Sequence, residues 1–240
     1  MIMDEVLAVG DMAFQKKCLD KMRAAAKEQG RTVLYVSHNM NTIRQLCDRC
    51  IVLDKGKIIF EGDVEDAIEV YLNTKRNEEI YHNYENEPHR DYLGKPGIKL
   101  LEMEYVDKES VHFEAEEPIK VRLKWKNLAD VNDVGLRIEL WNLEDVPQAT
   151  YVMYEFYSGK QDEICEMELQ LDASMLMDAE YKTILTFFNK DMNGNGADLE
   201  CRQGLLINKT TTEAQQKWVW RPKYWGYIQL PSPQINKIVR

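Results

Sequence analysis

The sequence predicts two fold classes in series: an α/β segment, a parallel sheet with helices, followed by an all-β antiparallel sandwich. Three observations predict it. Up to about Asn73, short apolar runs alternate with amphipathic stretches, as in a parallel sheet covered by helices. From about Gly97 the alternation of apolar and polar residues becomes one by one, the period of a strand with one buried and one wet face. Between them, residues 75–96 are mostly polar, with Pro88, Gly94 and Pro96 and no hydrophobic period, which reads as a linker. At 240 residues the chain has room for two modest domains. The expected boundaries are 1–74, 75–96 and 97–231, with a tail at 232–240.

Taken in order, Met1 to Met3 read as a strand fragment and residues 12–30 as a helix ending at Gly30, whose tolerance of left-handed dihedrals suits a helix terminus. Residues 33–37 read as a buried strand. Met40, Ile43 and Cys47 recur at helical spacing, and the run Ile51 to Leu53, a Lys55-Gly56 turn and Ile58 to Phe60 read as two strands. Asp63 then caps a helix with Ile68, Tyr71 and Leu72 on one side. Beyond the linker, three sets mark half-buried strands: Ile119, Val121, Leu123 and Trp125; Val134, Leu136, Ile138 and Leu140; and Cys165, Met167, Leu169 and Leu171. Asn-, Asp- and Gly-containing turns between them, without a convincing helix, indicate the sandwich.

Composition narrows the function. A net charge of −10 and a pI near 5.0 argue against a nucleic-acid binder, which needs a basic patch to replace counterions on phosphates. No apolar run approaches the roughly 20 residues that cross a bilayer, so a role at a membrane is expected to come through a partner. Five scattered cysteines, an odd number without a preceding signal peptide, suggest a reducing cytoplasm. Cys47 and Cys50 form a C-x-x-C, but no second pair follows at zinc spacing, and a structural role is expected.

Two segments carry candidate chemistry. In Met3-Asp4-Glu5-Val6-Leu7-Ala8-Val9-Gly10-Asp11 a strand ends in two carboxylates, followed by a turn and another Asp; this presents charge at the C-terminal edge of a parallel sheet, where α/β proteins hold ligands. In Val33 to Asn39 a second strand runs into Ser37-His38, placing a His at the same edge. In nucleotide hydrolysis, Asp4 would hold Mg²⁺ through water, Glu5 would orient or deprotonate the attacking water, and His38 would contact the γ-phosphate.

Together these segments resemble an ABC ATPase. Asp4-Glu5 is similar to the Walker B end and catalytic Glu, the run Leu7 to Asp11 to the D-loop with Asp11 near the nucleotide, and Ser37-His38 to the switch histidine. Cys47-Asp48-Arg49 through Leu53, Gly56-Lys57-Ile58 and Glu61-Gly62-Asp63 resemble the hairpin and closing helix of that domain. The wording Asp-Glu-Val-Leu-Ala-Val-Gly-Asp is similar to the subfamily exporting O-antigens, capsules and teichoic acids. The resemblance implies ATP and Mg²⁺ as cofactors, a membrane permease and a second ATPase subunit as partners, a polysaccharide cargo, and a place at the cytoplasmic face of the plasma membrane. Two departures limit it. No G-x-x-x-x-G-K-[ST] occurs to cradle phosphates, and the signature helix is absent. The chain alone is therefore expected neither to hold ATP tightly nor to hydrolyse it, as for a truncated or split gene product, a misplaced start or a fragment.

Residues 97–231 resemble the extra C-terminal glycan-recognising sandwich of some of these exporters, through Gly97-Ile98-Lys99-Leu100, Val134-Gly135-Leu136-Arg137-Ile138 and Ala179-Glu180-Tyr181. Arg137, Glu139 and Trp141 fall together opposite the apolar set of their strand. An indole beside two charged groups is a plausible platform for a pyranose ring. Trp218, Trp220, Tyr224, Trp225 and Tyr227 read as packing. His82, His89 and His112 are too dispersed for a metal, and Glu166 and Glu168 share the wet face of a strand rather than a catalytic cleft. A stand-alone glycan-binding or adaptor protein with a vestigial ATPase remnant is the alternative reading.

Overall fold

A computed structural model describes residues 2–3, 20–21, 32–74, 76, 78–88, 97–114, 116–190, 196–210 and 226–229. They fall into two compact units, Met1–Arg76 and Asn77–Arg240. The described residues are rich in β structure with few helices, and apart from one short parallel pair their sheets are antiparallel or mixed.

In the first unit, β1 (Ile2–Met3) and β2 (Leu34–Tyr35) pair in parallel, Met3 opposite Tyr35. This pair is what the described residues show of the expected parallel sheet. Of the helix expected over 12–30, residues 20–21 are helical and the rest lies outside the described residues. Helix α1 (Met40–Leu46) starts at Asn39, whose side chain accepts from the Thr42 N–H, satisfying one of the orphan donors of a first turn. An antiparallel hairpin, β3 (Cys50–Asp54) and β4 (Lys57–Gly62), turns through Lys55 and Gly56 at φ of 48° and 77°, the twist that two-residue hairpins favour. Asp63 caps α2 (Val64–Asn73) by accepting from the Glu65 N–H, with Glu65 and Asp66 in the positive first turn.

Met40, Ile43, Val64 and Ile68 form the small buried cluster that joins α1 to α2, and Arg44 Nε donates to both oxygens of Glu65 at 3.0 and 3.1 Å. The expectation of a buried strand at 33–37 does not hold among the described residues. Leu34 and Val36 are half exposed, at 50% and 52%, and among the described residues β2 pairs with β1. Ile51, Leu53, Ile58 and Ile59 of the hairpin are exposed too.

The second unit holds two sheets around one apolar core. The first has the order β11-β8-β6-β5, with β5 (Tyr81–Asn83), β6 (Ile98–Tyr105), β8 (Ile119–Asn127) and β11 (Ile164–Leu171) all antiparallel. The second has the order β10-β9-β12-β14-β7, with β13 also on β12; its strands are β7 (His112–Glu114), β9 (Val131–Trp141), β10 (Pro147–Gly159), β12 (Ala179–Lys190), β13 (Gly196–Gln203) and β14 (Ile207–Thr210). Here the expected antiparallel arrangement is corrected: β14 and β7 run parallel, Lys209 opposite Phe113. The chain between them crosses through the other strands of the unit, so no hairpin forces them to oppose.

Alternation sets the core. Ile119, Val121, Leu123 and Trp125 face inward from β8 to meet Leu136, Ile138 and Leu140 of β9 and Leu185 and Phe187 of β12. Trp125 is packed edge-on to Tyr157 and tilted against Phe187, at 5.3 and 5.4 Å between rings, geometries the aromatic quadrupole favours. On the wet face, Lys124 pairs with Glu102 at 2.9 Å and Arg122 with Glu104, Glu166 and Glu168. Glu166 and Glu168 are thus rungs of a cross-strand charge ladder.

The expected linker differs from what is found. Tyr81–Asn83 pairs with β6, and Tyr84 is 2% exposed within the core, its hydroxyl donating to the Gln203 carbonyl at 2.8 Å. A three-residue strand is too short to display a period, so only the polar composition was visible. Residues 89–96 lie outside the described residues.

Candidate functional site

The parallel pair fixes one edge. Chain that leaves β2 after Tyr35 leaves at the same end as chain that follows Met3 of β1, because the strands share direction and register. Asp4 and Glu5 follow Met3 in sequence, but they and Asp11 lie outside the described residues. His38 is described. It sits exposed in the turn between β2 and α1, where Ser37 Oγ accepts from the Asn39 N–H at 3.0 Å and Asn39 Oδ1 accepts from Thr42 N at 3.1 Å. These two side-chain bonds restrain the backbone next to His38, a way to fix a loop residue at a sheet edge.

The C-x-x-C pair has structural character. Burial raises the Cys47 thiol to about 11 and, as the first cause, raises Cys50 as well, which disfavours the thiolate that redox chemistry and metal binding require. Among the described residues no cluster of His, Cys, Asp and Glu could hold a metal ion.

In the second unit Arg137, Glu139 and Trp141 do share the face of β9 opposite Leu136, Ile138 and Leu140. They are also joined. Glu139 accepts from Arg137 Nε through one oxygen and from the Trp141 indole N–H through the other, at 2.9 Å. The guanidinium lies 6.0 Å from the Phe188 ring centroid and 3.8 Å from an Asp198 oxygen. A carboxylate that holds an indole and a guanidinium by its two oxygens sets both orientations, and so pre-organises a half-buried polar platform.

A further constellation escaped the sequence reading. His82, Glu87 and Arg202 line one cavity, although more than a hundred residues separate the first two from the third. The signal was an arginine and a glutamate, Arg202 and Glu200, placed two apart in a strand, where one facing inward requires the other to do so; both are buried and lie 2.6 Å apart.

No family model matches the chain. Over 71 residues it is 46% identical to the O-antigen export system ATP-binding protein RfbB of Klebsiella pneumoniae, covering 30% of this chain and 28% of that protein. Over the same length it is 41% identical to the teichoic acids export ATP-binding protein TagH of Staphylococcus saprophyticus, covering 30% and 26%. The chain thus spans about a quarter of the length of the curated relatives it matches. Among solved structures it is similar to one described as the crystal structure of the C-terminal domain of wzt, at 13% identity and a TM-score of 0.46 over 60% of this chain and 86% of that one. Through its 71-residue match the chain is related to the ATP-binding proteins of O-antigen and teichoic acid export systems, the group that its Asp4-Glu5 and Ser37-His38 motifs resemble.

Proposed function

We propose that the chain is the C-terminal part of the energy-coupling subunit of an ABC exporter of a cell-surface polysaccharide, and that its second unit recognises the glycan. The observation that carries this reading is the 46% identity to an O-antigen export ATP-binding protein. The position of His38 after β2 fits the role of a histidine that contacts the γ-phosphate. In a complete ATPase domain ATP with Mg²⁺ supplies the driving force. There Asp4 would hold Mg²⁺ through water, Glu5 would orient or deprotonate the attacking water, and Asp11 would lie near the nucleotide. Since no phosphate-cradling loop occurs in the 240 residues, the chain alone is expected not to hydrolyse ATP. Its partners are a membrane permease, a second ATPase subunit and the glycan, at the inner face of the plasma membrane; among the described residues no helix is long and apolar enough to cross a membrane.

Glycan contact is assigned to the Arg137, Glu139 and Trp141 platform, where a pyranose CH face can lie on the indole while hydroxyls meet the fixed charges. Affinity from one such platform falls in the range of roughly micromolar to millimolar, which suits a cargo that must be released. The test is to join the chain to an upstream half bearing the phosphate-binding loop and to measure magnesium-dependent ATP hydrolysis and transport of surface polysaccharide. Activity of the 240-residue chain alone, abolished by Glu5→Gln, would contradict the reading.

A further inference from the structure

Within the second unit, the segment carrying β5 lies against β13 and leaves a cavity of about 300 Å³ lined by His82, Tyr84, Glu87, Arg202, Gln203 and Gly204, at the small end of ligand-pocket sizes. Its polar groups are held in place. His82 Nε2 lies 2.7 Å from Glu87 Oε1 and Nδ1 lies 3.1 Å from Glu79 Oε2; an imidazolium satisfies both, a neutral ring only one. The bond to Glu87 is the main cause that raises the imidazole above its ordinary value.

Arg202, 4% exposed, donates through Nη1 to the Pro88 carbonyl at 2.8 Å and sits 2.6 Å from Glu200 and 3.7 Å from Glu87. The Tyr84 hydroxyl ties the segment to Gln203 O. Gly204, which also lines the cavity, backs directly onto the core: a Cβ there would come within 2.3 Å of Leu185 Cδ1 and 2.4 Å of Thr183 Oγ1. The exposed Gln203 side chain adds an amide that can both donate and accept.

The charges select the ligand class. Two cations, His82 and Arg202, face three carboxylates, Glu79, Glu87 and Glu200, so the cavity offers an anion no net attraction. A cation would have to displace His82 or Arg202 from carboxylates already engaged. A neutral ring with several hydroxyls meets the set as it stands, because each hydroxyl donates to a carboxylate lone pair or accepts from an imidazolium, guanidinium or amide N–H without leaving a charge unpaired. We propose that this cavity is a saccharide subsite that binds one neutral, hydroxyl-rich sugar ring, with Glu87 and Gln203 as direct contacts. It is lined by none of Arg137, Glu139 and Trp141. The proposal rests on the reading of the second unit as glycan-recognising.

The test titrates the full chain with methyl glycosides of glucose, galactose, mannose and N-acetylglucosamine, with glucuronate and inorganic phosphate alongside, and follows imidazole and backbone amide resonances by NMR. Saturable shifts at His82, Gln203 and Gly204 with at least one neutral glycoside, and none with phosphate, are expected. Glu87→Gln should weaken that binding about tenfold, the worth of one charge-assisted hydrogen bond. Because Glu87→Gln can also loosen the segment, Gln203→Ala is the second variant, expected to weaken binding without moving the melting midpoint, while Ile164→Ser, on the exposed side of β11, changes neither. Full-strength binding in both Glu87→Gln and Gln203→Ala, or saturation by phosphate or glucuronate alone, overturns the subsite. No shift with any glycoside overturns it too, whereas the glycan reading of the unit falls only if polysaccharide extracted from the producing strain also shifts no resonance.

Discussion

The two units bury apolar residues on different scales. In the first, Met40, Ile43, Val64 and Ile68 make the described core, and Leu34, Val36, Ile51, Leu53, Ile58 and Ile59 remain open to water. In the second, both sheets contribute to one continuous cluster in which Ile98, Leu100, Ile119, Leu123, Val134 and Leu140 are 0% exposed. At about 25 cal/mol per Å² of apolar surface removed from water, the continuous core of the second unit is a driving force of its own, whereas the described residues of the first unit bury less to set against chain entropy. A self-sufficient module is thus attached to an element whose apolar faces suit coverage by more protein. Under the proposed function, the nucleotide chemistry is expected in the first unit and the glycan specificity in the second.

The largest expected effect concerns the first unit once it is complete. When the chain is joined to a segment bearing the phosphate-binding loop, Glu5→Gln should lower ATP hydrolysis by roughly 10²- to 10⁴-fold, the usual contribution of general base catalysis, while nucleotide binding is spared. Equal loss of binding and turnover would move Glu5 out of the water-activating role.

In the second unit the buried Glu200 and Arg202 pair predicts the largest change in stability. Arg202→Ala removes the guanidinium 2.6 Å from the buried Glu200 carboxylate and should cost about 3–5 kcal/mol in chemical denaturation, whereas a Glu200→Leu, Arg202→Met double variant should be close to neutral. Similar losses for both would mean that packing, not charge, matters at the edge of β13.

These predictions bear on what was legible in the sequence. The half-buried strands β8, β9 and β11 announce themselves by strict alternation, α1 by the helical spacing of Met40, Ile43 and Cys47, and α2 by Asp63 as capping residue. β10 does not, because it is interrupted by register shifts between Pro147 and Gly159 and by Glu155 at φ of 51°, which break the period of two. β13 was hidden because its inward side chains include Glu200 and Arg202, polar residues that the pattern assigns to solvent. The position of His38 after β2 was legible from strand-then-Ser-His, and the common face of Arg137, Glu139 and Trp141 from parity alone. Their joining by Glu139 was not, since it depends on rotamers. The cavity at His82 was not either, since its walls meet only through the long-range pairing of β5 and β13 with their sheets.

Two smaller effects sharpen the boundary between the units. A version of the second unit that begins at Gly97 loses β5 and Tyr84 and should be less stable than one that begins at Asn77 by roughly 3 kcal/mol, the scale of deleting a buried aromatic. Tyr84→Phe, which removes only the hydroxyl bonded to Gln203 O, should cost about 1 kcal/mol. The smallest effect is the pH dependence of the His82 bridge. Its pKa is raised in the folded state, chiefly by Glu87, so its contribution is fully present below the unfolded value of about 6.5 and is lost as pH rises through the folded value. Protection of the amides of β5 from hydrogen exchange, corrected for the intrinsic rate, should therefore fall over that window, and His82→Gln should abolish the dependence.

The comparison itself is tested most directly by unfolding each unit alone in denaturant, followed by circular dichroism for both and by tryptophan fluorescence for residues 77–240, which hold all five tryptophans. Residues 77–240 are predicted to give one cooperative transition as a soluble monomer, with coincident curves from both probes, while residues 1–76 give no cooperative transition until a segment carrying the phosphate-binding half of the domain is supplied. A cooperative, monomeric transition from residues 1–76 alone, or its absence from residues 77–240, would contradict the account.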